Sequence, residues 1–230
     1  MKDRIPLKVL LAALVIVPCA VTEARAQGPV SGRVSIRERP GEVTSDIANT
    51  VIYLLPTGER KLRFGEVKVP MAMSARQFTP RVRVVTPGSS VEYPNQDPFS
   101  HNIFSTAAGA AFDLGTYPGG VARSARFRKA GAFPIYCNIH AKMTAYVVVV
   151  PTPHYVIAGA DGRWTLPDVQ AGRYDLHVWH ERTPEVVSGV EVPAAGLTDL
   201  VTSLDARGYQ AKPHMNKFGK EYSGTGKDRY

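Results

Sequence analysis

Between Val30 and Leu204 apolar and polar residues alternate in short runs. Val30 to Ile36 alternates, Thr50 to Leu55 is β-branched and apolar, and Pro80 to Val85 puts Val82 and Val84 on one face with Arg81 and Arg83 on the other. A period of two is that of a half-buried strand. Pro87-Gly88 reads as a turn from which Val91 to Tyr93 returns, and Val121 to Phe127 alternates again before Gly131. Ala132 to Tyr136 and Ala145 to Val150 form a further pair of strands around a loop. With 20 Gly and 18 Pro punctuating almost every run, no long helix is predicted. Antiparallel strands with one polar face must bury the other against a second sheet, so the expectation is an all-β chain of packed sheets.

The loop between the last two strands carries candidate chemistry. Tyr136-Cys137-Asn138-Ile139-His140-Ala141-Lys142-Met143 sets a thiol, an imidazole and a thioether at Cys-x2-His-x2-Met spacing. A fourth donor, His101, follows the turn Pro94-Asn95-Gln96-Asp97-Pro98-Phe99-Ser100. Thiolate and thioether favour Cu(I), whereas imidazoles also accept Cu(II), so two histidines, a cysteine and a weak axial methionine suit one copper ion in both oxidation states. The plain alternative, a buried thiol, a surface histidine and a core methionine with no shared role, leaves the fourth donor and the flanking strands unexplained.

Cysteine usage agrees. Of the two cysteines, Cys19 lies in a leader-like stretch: Lys2 and Arg4 precede the apolar run Val9 to Val17, and Ala24-Arg25-Ala26 is a small-x-small cleavage site. The run is too short for a membrane span, and Pro18 makes Cys19 a poor lipidation site. Residues 1–26 are therefore read as a signal peptide and the protein as periplasmic or otherwise exported, with no stable membrane insertion once the leader is removed. An unpaired thiol in an oxidising compartment needs a reason such as metal ligation. The chain carries +8, and loss of residues 1–26, with four basic and two acidic residues, leaves +6. Much of the excess sits at Arg207, Lys212, Lys217, Lys220, Lys227 and Arg229. Composition predicts a basic disordered tail over 206–230. Nothing points to nucleic acid as a partner.

Residues from about Arg76 to Val150 resemble the cupredoxins, the plastocyanin and amicyanin family, through Phe78-Thr79-Pro80, Gly88, Val91, Asn95, His101-Asn102 and Tyr136 to Met143. The resemblance implies a Greek-key β-sandwich holding one copper ion. His101, Cys137 and His140 would be equatorial ligands and Met143 the axial one, with Asn102 tying the two ligand loops together and donating towards the thiolate. After Pro151, Tyr155 to Val169 and Ala171 to Glu181 resemble the later strands of a carboxypeptidase regulatory-like (transthyretin-like) β-sandwich, with Asp161-Gly162 and Ala171-Gly172 as turns. Its first strands resemble Val30 to Ile36 and Ala48 to Leu55. The expected organisation is a cupredoxin domain over 60–150 inserted into a second, smaller β-sandwich formed by 28–58 and 152–205. Insertion at a loop is tolerated where the ends of the insert lie close together.

Other candidates read as structural. Met71 and Met73 share a strand face and could hold Cu(I) by their thioethers, but core packing is the simpler reading. His177 and His180, three apart on a strand, point to opposite faces and suit no common metal; His180 is expected to make a structural hydrogen bond beside Trp179. His154 and His214 show no partner in the sequence. No Gly-x-Ser-x-Gly, His-Glu-x-x-His or phosphate-binding glycine loop occurs, nor the further histidine clusters of a multicopper enzyme. The chain is therefore expected to be an electron carrier, not an enzyme, serving a redox partner protein such as a c-type cytochrome. A copper chaperone or store, and an adhesive β-sandwich stabilised by copper, are the alternatives.

Overall fold

The computed structural model describes residues 27–58, 60 and 62–222. The expected leader, 1–26, and the end of the expected tail, 223–230, lie outside them. In chain order the strands are β1 (Gln27–Arg37), β2 (Val51–Pro56), β3 (Lys68–Pro70), β4 (Ala72–Ser74), β5 (Gln77–Thr79), β6 (Val82–Val85), β7 (Ser90–Pro94), β8 (His101–Ser105) and β9 (Phe112–Tyr117), followed by β10 (Ala122–Arg126), β11 (Gly131–Cys137), β12 (Thr144–Val149), β13 (Tyr155–Ile157), β14 (Arg163–Gln170), β15 (Gly172–Trp179), β16 (Val186–Val192) and β17 (Leu197–Asp205). One 3-10 turn, Ile47–Asn49, interrupts them, and no α-helix occurs among the described residues. The chain is all-β, as the period-two pattern predicts.

The strands form two sandwiches. In one, β1 lies between β14 and β17, and β2 lies between β13 and β15, with β16 outside β15. These sheets close over a core that includes Val30, Val34, Ile52, Leu54, Trp164 and Leu176. Strands from both ends of the chain thus share one interior. The other sandwich is built from the intervening residues: the sheet β6-β12-β11-β8-β9 faces β10-β7-β3, with the hairpin β4-β5 beside them. Met71, Met73, Tyr93, Ile103, Ile135 and Val147 lie in its core. Both methionines are fully buried there, the packing role the sequence favours.

Strand β12 explains how the sandwiches meet. Ala145, Val147 and Val149 face the metal-side core, while Val148 and the following Val150 join Val51, Val82 and Val84 in a second apolar cluster between the bodies. Covered on both faces, β12 reads as a near-continuous apolar run. At the edge of this seam the Arg81 guanidinium donates to both oxygens of Glu181, at 2.5 and 2.7 Å, a fork that fixes orientation as well as charge. His180 is fully buried, its Nε2 3.2 Å from the carbonyl of Asp46.

Residues 206–222 lie against the body of the protein instead of forming the disordered tail that composition predicts. The Ala206 amide donates to Arg37 (3.1 Å), His214 stacks on Tyr136 (centroids 4.3 Å apart), and the Tyr222 hydroxyl donates to the Cys137 carbonyl at 2.9 Å. Partners met only by chain return are invisible to a count of glycine, serine and lysine. This cover explains why all five residues of β8 are buried.

Candidate metal centre

Strand alternation aims the thiol. Along β11 Phe133, Ile135 and Cys137 face inward, so the last residue of the strand delivers its sulfur to one pole of the core. Antiparallel β8 begins at the same pole, and Cys137 lies opposite Ile103. His101, two residues earlier, therefore lies on the same face as Ile103, one step nearer the rim. Chain reversal supplies the third group. The Met143 amide donates to His140 (3.0 Å) and the Cys137 amide to Met143 (3.3 Å), closing the loop on its own backbone and turning His140 back over the thiol.

Three donor atoms converge. Cys137 Sγ lies 3.5 Å from Nδ1 of both His101 and His140, and the two Nδ1 atoms are 3.2 Å apart. A triangle with these edges has its centre about 2.0 Å from each corner, against about 2.0–2.1 Å for a zinc–imidazole bond and about 2.3 Å for a zinc–thiolate bond. With Nε2 of His101 engaged by Asp97, its Nδ1 is left to face the sulfur and the second imidazole, the donor types a soft cation takes. Two imidazoles and a thiol at this spacing, with the Met143 thioether buried in the adjoining core, are donor types that suit copper. Met143 is buried in the same core as Cys137. Among the described residues, this is the group of His, Cys, Asp or Glu placed to hold a metal ion.

The surroundings set the charge of each donor. Burial pushes the Cys137 thiol above its ordinary value, while backbone N–H groups of Asn102, Ile139 and His140 pull the other way by stabilising the thiolate. Burial holds His140 below the usual histidine range, and the neighbouring His101 and Arg76 add to this. Asn102 acts through its backbone: its amide serves the thiolate and its carbonyl accepts from the Asn138 amide at 2.8 Å. Its side chain turns away to Asp113, at 2.6 Å.

Two residues that sequence reasoning missed complete the site. Asp97 Oδ2 lies 2.9 Å from His101 Nε2, leaving Nδ1 for the cluster; a carboxylate behind a ligand histidine fixes its tautomer and ring angle. The same carboxylate accepts the backbone N–H groups of Ala75 (2.7 Å) and Arg76 (3.1 Å), which hold the two left-handed positions of the β4-β5 turn, φ 51° and 58°. Phe99 packs against both imidazoles, at 5.4 and 5.6 Å, with the Arg76 guanidinium 5.0 Å from its ring centre. The available signal was an aspartate four residues before His101 in a proline-bounded turn.

Burial raises the Asp97 carboxyl, but the N–H of Arg76, His101 and the N–H of Ala75 outweigh it, so the net shift is downward. A depressed carboxylate contributes stability that is fully present above its unfolded value, about 3.9, and is lost as pH falls through the lower folded value. Asp97→Asn is expected to cost about 1.5–3 kcal/mol at neutral pH, the range for hydrogen bonds to a charged group. It should also flatten this acid limb of the stability curve. Urea melts of metal-free protein from pH 2 to 7 check both; an unchanged acid limb refutes the role of Asp97.

The architecture and donor set define an all-β protein with a thiolate–imidazole cluster at one pole of a sandwich. Solved structures similar to part of it include cupredoxins. A variant of amicyanin in its Cu(I) form is 22% identical, with 36% of this chain and 82% of that one covered and a TM-score of 0.34. A purple cupredoxin from Nitrosopumilus maritimus is 20% identical, covering 37% and 100%, with a TM-score of 0.32. Amicyanin from Paracoccus versutus is 16% identical, covering 43% and 98%, with a TM-score of 0.33. No family model and no curated protein matches the chain.

Proposed function

We propose that this chain is an exported mononuclear blue-copper protein that carries electrons. The observation that carries the reading is the convergence of His101, Cys137 and His140 on one point, with Met143 buried beside them. Bound there, a copper ion would supply one-electron exchange between Cu(I) and Cu(II). The protein's part is to hold one donor set for both states. Asp97 fixes the His101 ring, three backbone N–H groups face the thiolate, and the closed loop holds His140 over it. His140 is partly exposed and Ile139 is 46% exposed, which makes this the rim a redox partner would approach. A groove of about 450 Å³ lies beside His140, and Lys142 on its lining favours an acidic face on the redox partner, for which a c-type cytochrome is the candidate.

Export rests on the leader-like sequence of residues 1–26; among the described residues no helix is long and apolar enough to cross a membrane. In the second sandwich, the regulatory-like reading rests on its turns and strand spacing. A copper-delivery role gains nothing from Met71 and Met73, whose side chains fill the core. The test is the visible spectrum of the Cu(II)-loaded protein at one metal per chain. An intense thiolate-to-copper band supports the reading, and a colourless complex overturns it.

A further inference from the structure

The segment after β17 links the second sandwich to the metal pole. It starts tethered to β1 and the turn beyond it: the Ala206 amide donates to Arg37 at 3.1 Å, and Arg39 Nη2 donates to the Tyr209 carbonyl at 3.3 Å. It then crosses the outer face of the metal-bearing sheet, where the His214 ring stacks on Tyr136 at 4.3 Å and 18° and meets Phe104 at 6.2 Å. A turn closed on itself follows. Asn216 Oδ1 accepts the amides of Phe218 and Lys220 at 3.0 and 3.1 Å, and the Asn216 amide donates to Lys220 at 2.8 Å.

This turn places its contacts at the two chain stretches that carry the donors. The Lys217 amide donates to Asn138 Oδ1 at 2.9 Å, directly after Cys137. Lys217 Nζ pairs with Asp113 at 2.6 Å, and Asp113 in turn accepts the Asn102 side chain, next to His101. The Tyr222 hydroxyl donates to the Cys137 carbonyl itself, at 2.9 Å, and its ring meets the edge of His214 at 5.3 Å. Asn138, which follows Cys137, and through Asp113 also Asn102, which follows His101, are thus tied to one segment anchored on the other sandwich.

We propose that residues 206–222 are a strap by which the second sandwich, the one that contains β1 and β17, clamps the hinge of the ligand loop, with Tyr222 and Lys217 as positioning residues for Cys137. This rests on the metal-site reading for its consequence but not for its mechanics. Cys137 is fully buried, so a reagent reaches its sulfur when the loop from Asn138 to Met143 opens locally. Each hydrogen bond lost from the hinge shifts such an opening equilibrium by about fivefold. The positive end of the Tyr222 hydroxyl dipole also lies beside the cysteine and favours the electron-rich, reduced state of a site there; losing it lowers the reduction potential.

The experiment uses the metal-free full chain in a Cys19→Ser background and follows labelling of Cys137 by dithionitrobenzoate at one pH. Tyr222→Phe, which removes only the hydroxyl, is expected to label about fivefold faster than wild type. Tyr222→Phe with His214→Ala, which also removes the ring stack, is expected to label more than about tenfold faster. Labelling of Tyr222→Phe at the wild-type rate overturns the strap, whatever the double variant does. In copper-loaded protein the same single variant should show a lower potential, and an unchanged potential removes its positioning role. A colourless complex with fast labelling leaves the strap standing and defeats the metal reading. A blue complex with wild-type labelling does the reverse.

Discussion

Replacing Cys137 by serine is expected to abolish the charge-transfer colour of the Cu(II)-loaded protein and to weaken copper binding by more than about a hundredfold, the upper figure for losing even an outer partner of a ligand. The band requires a thiolate, and a serine hydroxyl is a hard, protonated donor at neutral pH. The fold should survive, because serine keeps the shape of a fully buried side chain and its hydroxyl can donate to one of the two imidazole nitrogens that lie 3.5 Å from the sulfur it replaces. Met143→Leu is the informative contrast. It removes only the proposed axial donor, a buried core side chain, so colour should remain and the potential should rise. Absorbance, metal content and voltammetry on the two variants decide the matter. Colour in Cys137→Ser removes the thiolate from the site, and a colourless Met143→Leu makes the methionine more than axial.

The second large effect concerns the other sandwich. Residues 152–205 alone are expected to remain unfolded, whereas excision of residues 60–150 with a short flexible joint should leave a cooperatively melting domain. Strand β1 is central between β14 and β17, and β2 between β13 and β15. Without them the core loses Val30, Val34, Ile52 and Leu54, all at most 1% exposed. At about 1.5–3 kcal/mol per fully buried side chain, the loss is as large as the whole stability of a typical domain, about 5–15 kcal/mol. The joint itself is cheap, because β2 and β13 pair directly, Tyr53 opposite Tyr155, and closing a short loop between near neighbours costs little. The excised domain should melt below the intact chain, since Val51 and Trp179 lose the seam they share with β6 and β12. Circular dichroism melts test both pieces. A cooperative melt of 152–205 alone would show that β1 and β2 are dispensable.

Strand positions and the chemistry of the candidate site were legible because both are local. Period-two alternation marked β1, β6 and β10, and apolar runs marked β2 and β12; alternation also aims Cys137 inward with Phe133 and Ile135. The spacing within Cys137 to Met143 singled out three donors in one short loop, and His101 followed a recognisable turn. Strands β5, β8 and β9 were not marked: β5 has only three residues, β8 is buried on both faces and so does not alternate, and β9 is broken by Gly115 at φ 67°. What holds the donors lay beyond local pattern. Asp97 matters because one carboxylate meets His101, four residues on, and the distant β4-β5 turn together, a coincidence of two chain segments. Tyr222 matters because the chain returns, 85 residues on, to the carbonyl of Cys137. By itself the sequence determined which segments extend, which faces are apolar and which side chains can bind a soft metal, since those depend on each residue and its near neighbours. Tertiary structure alone decided how strands from both ends share a core and which polar groups brace the cysteine, because a hydrogen bond forms only where packing of the whole chain brings its donor and acceptor together.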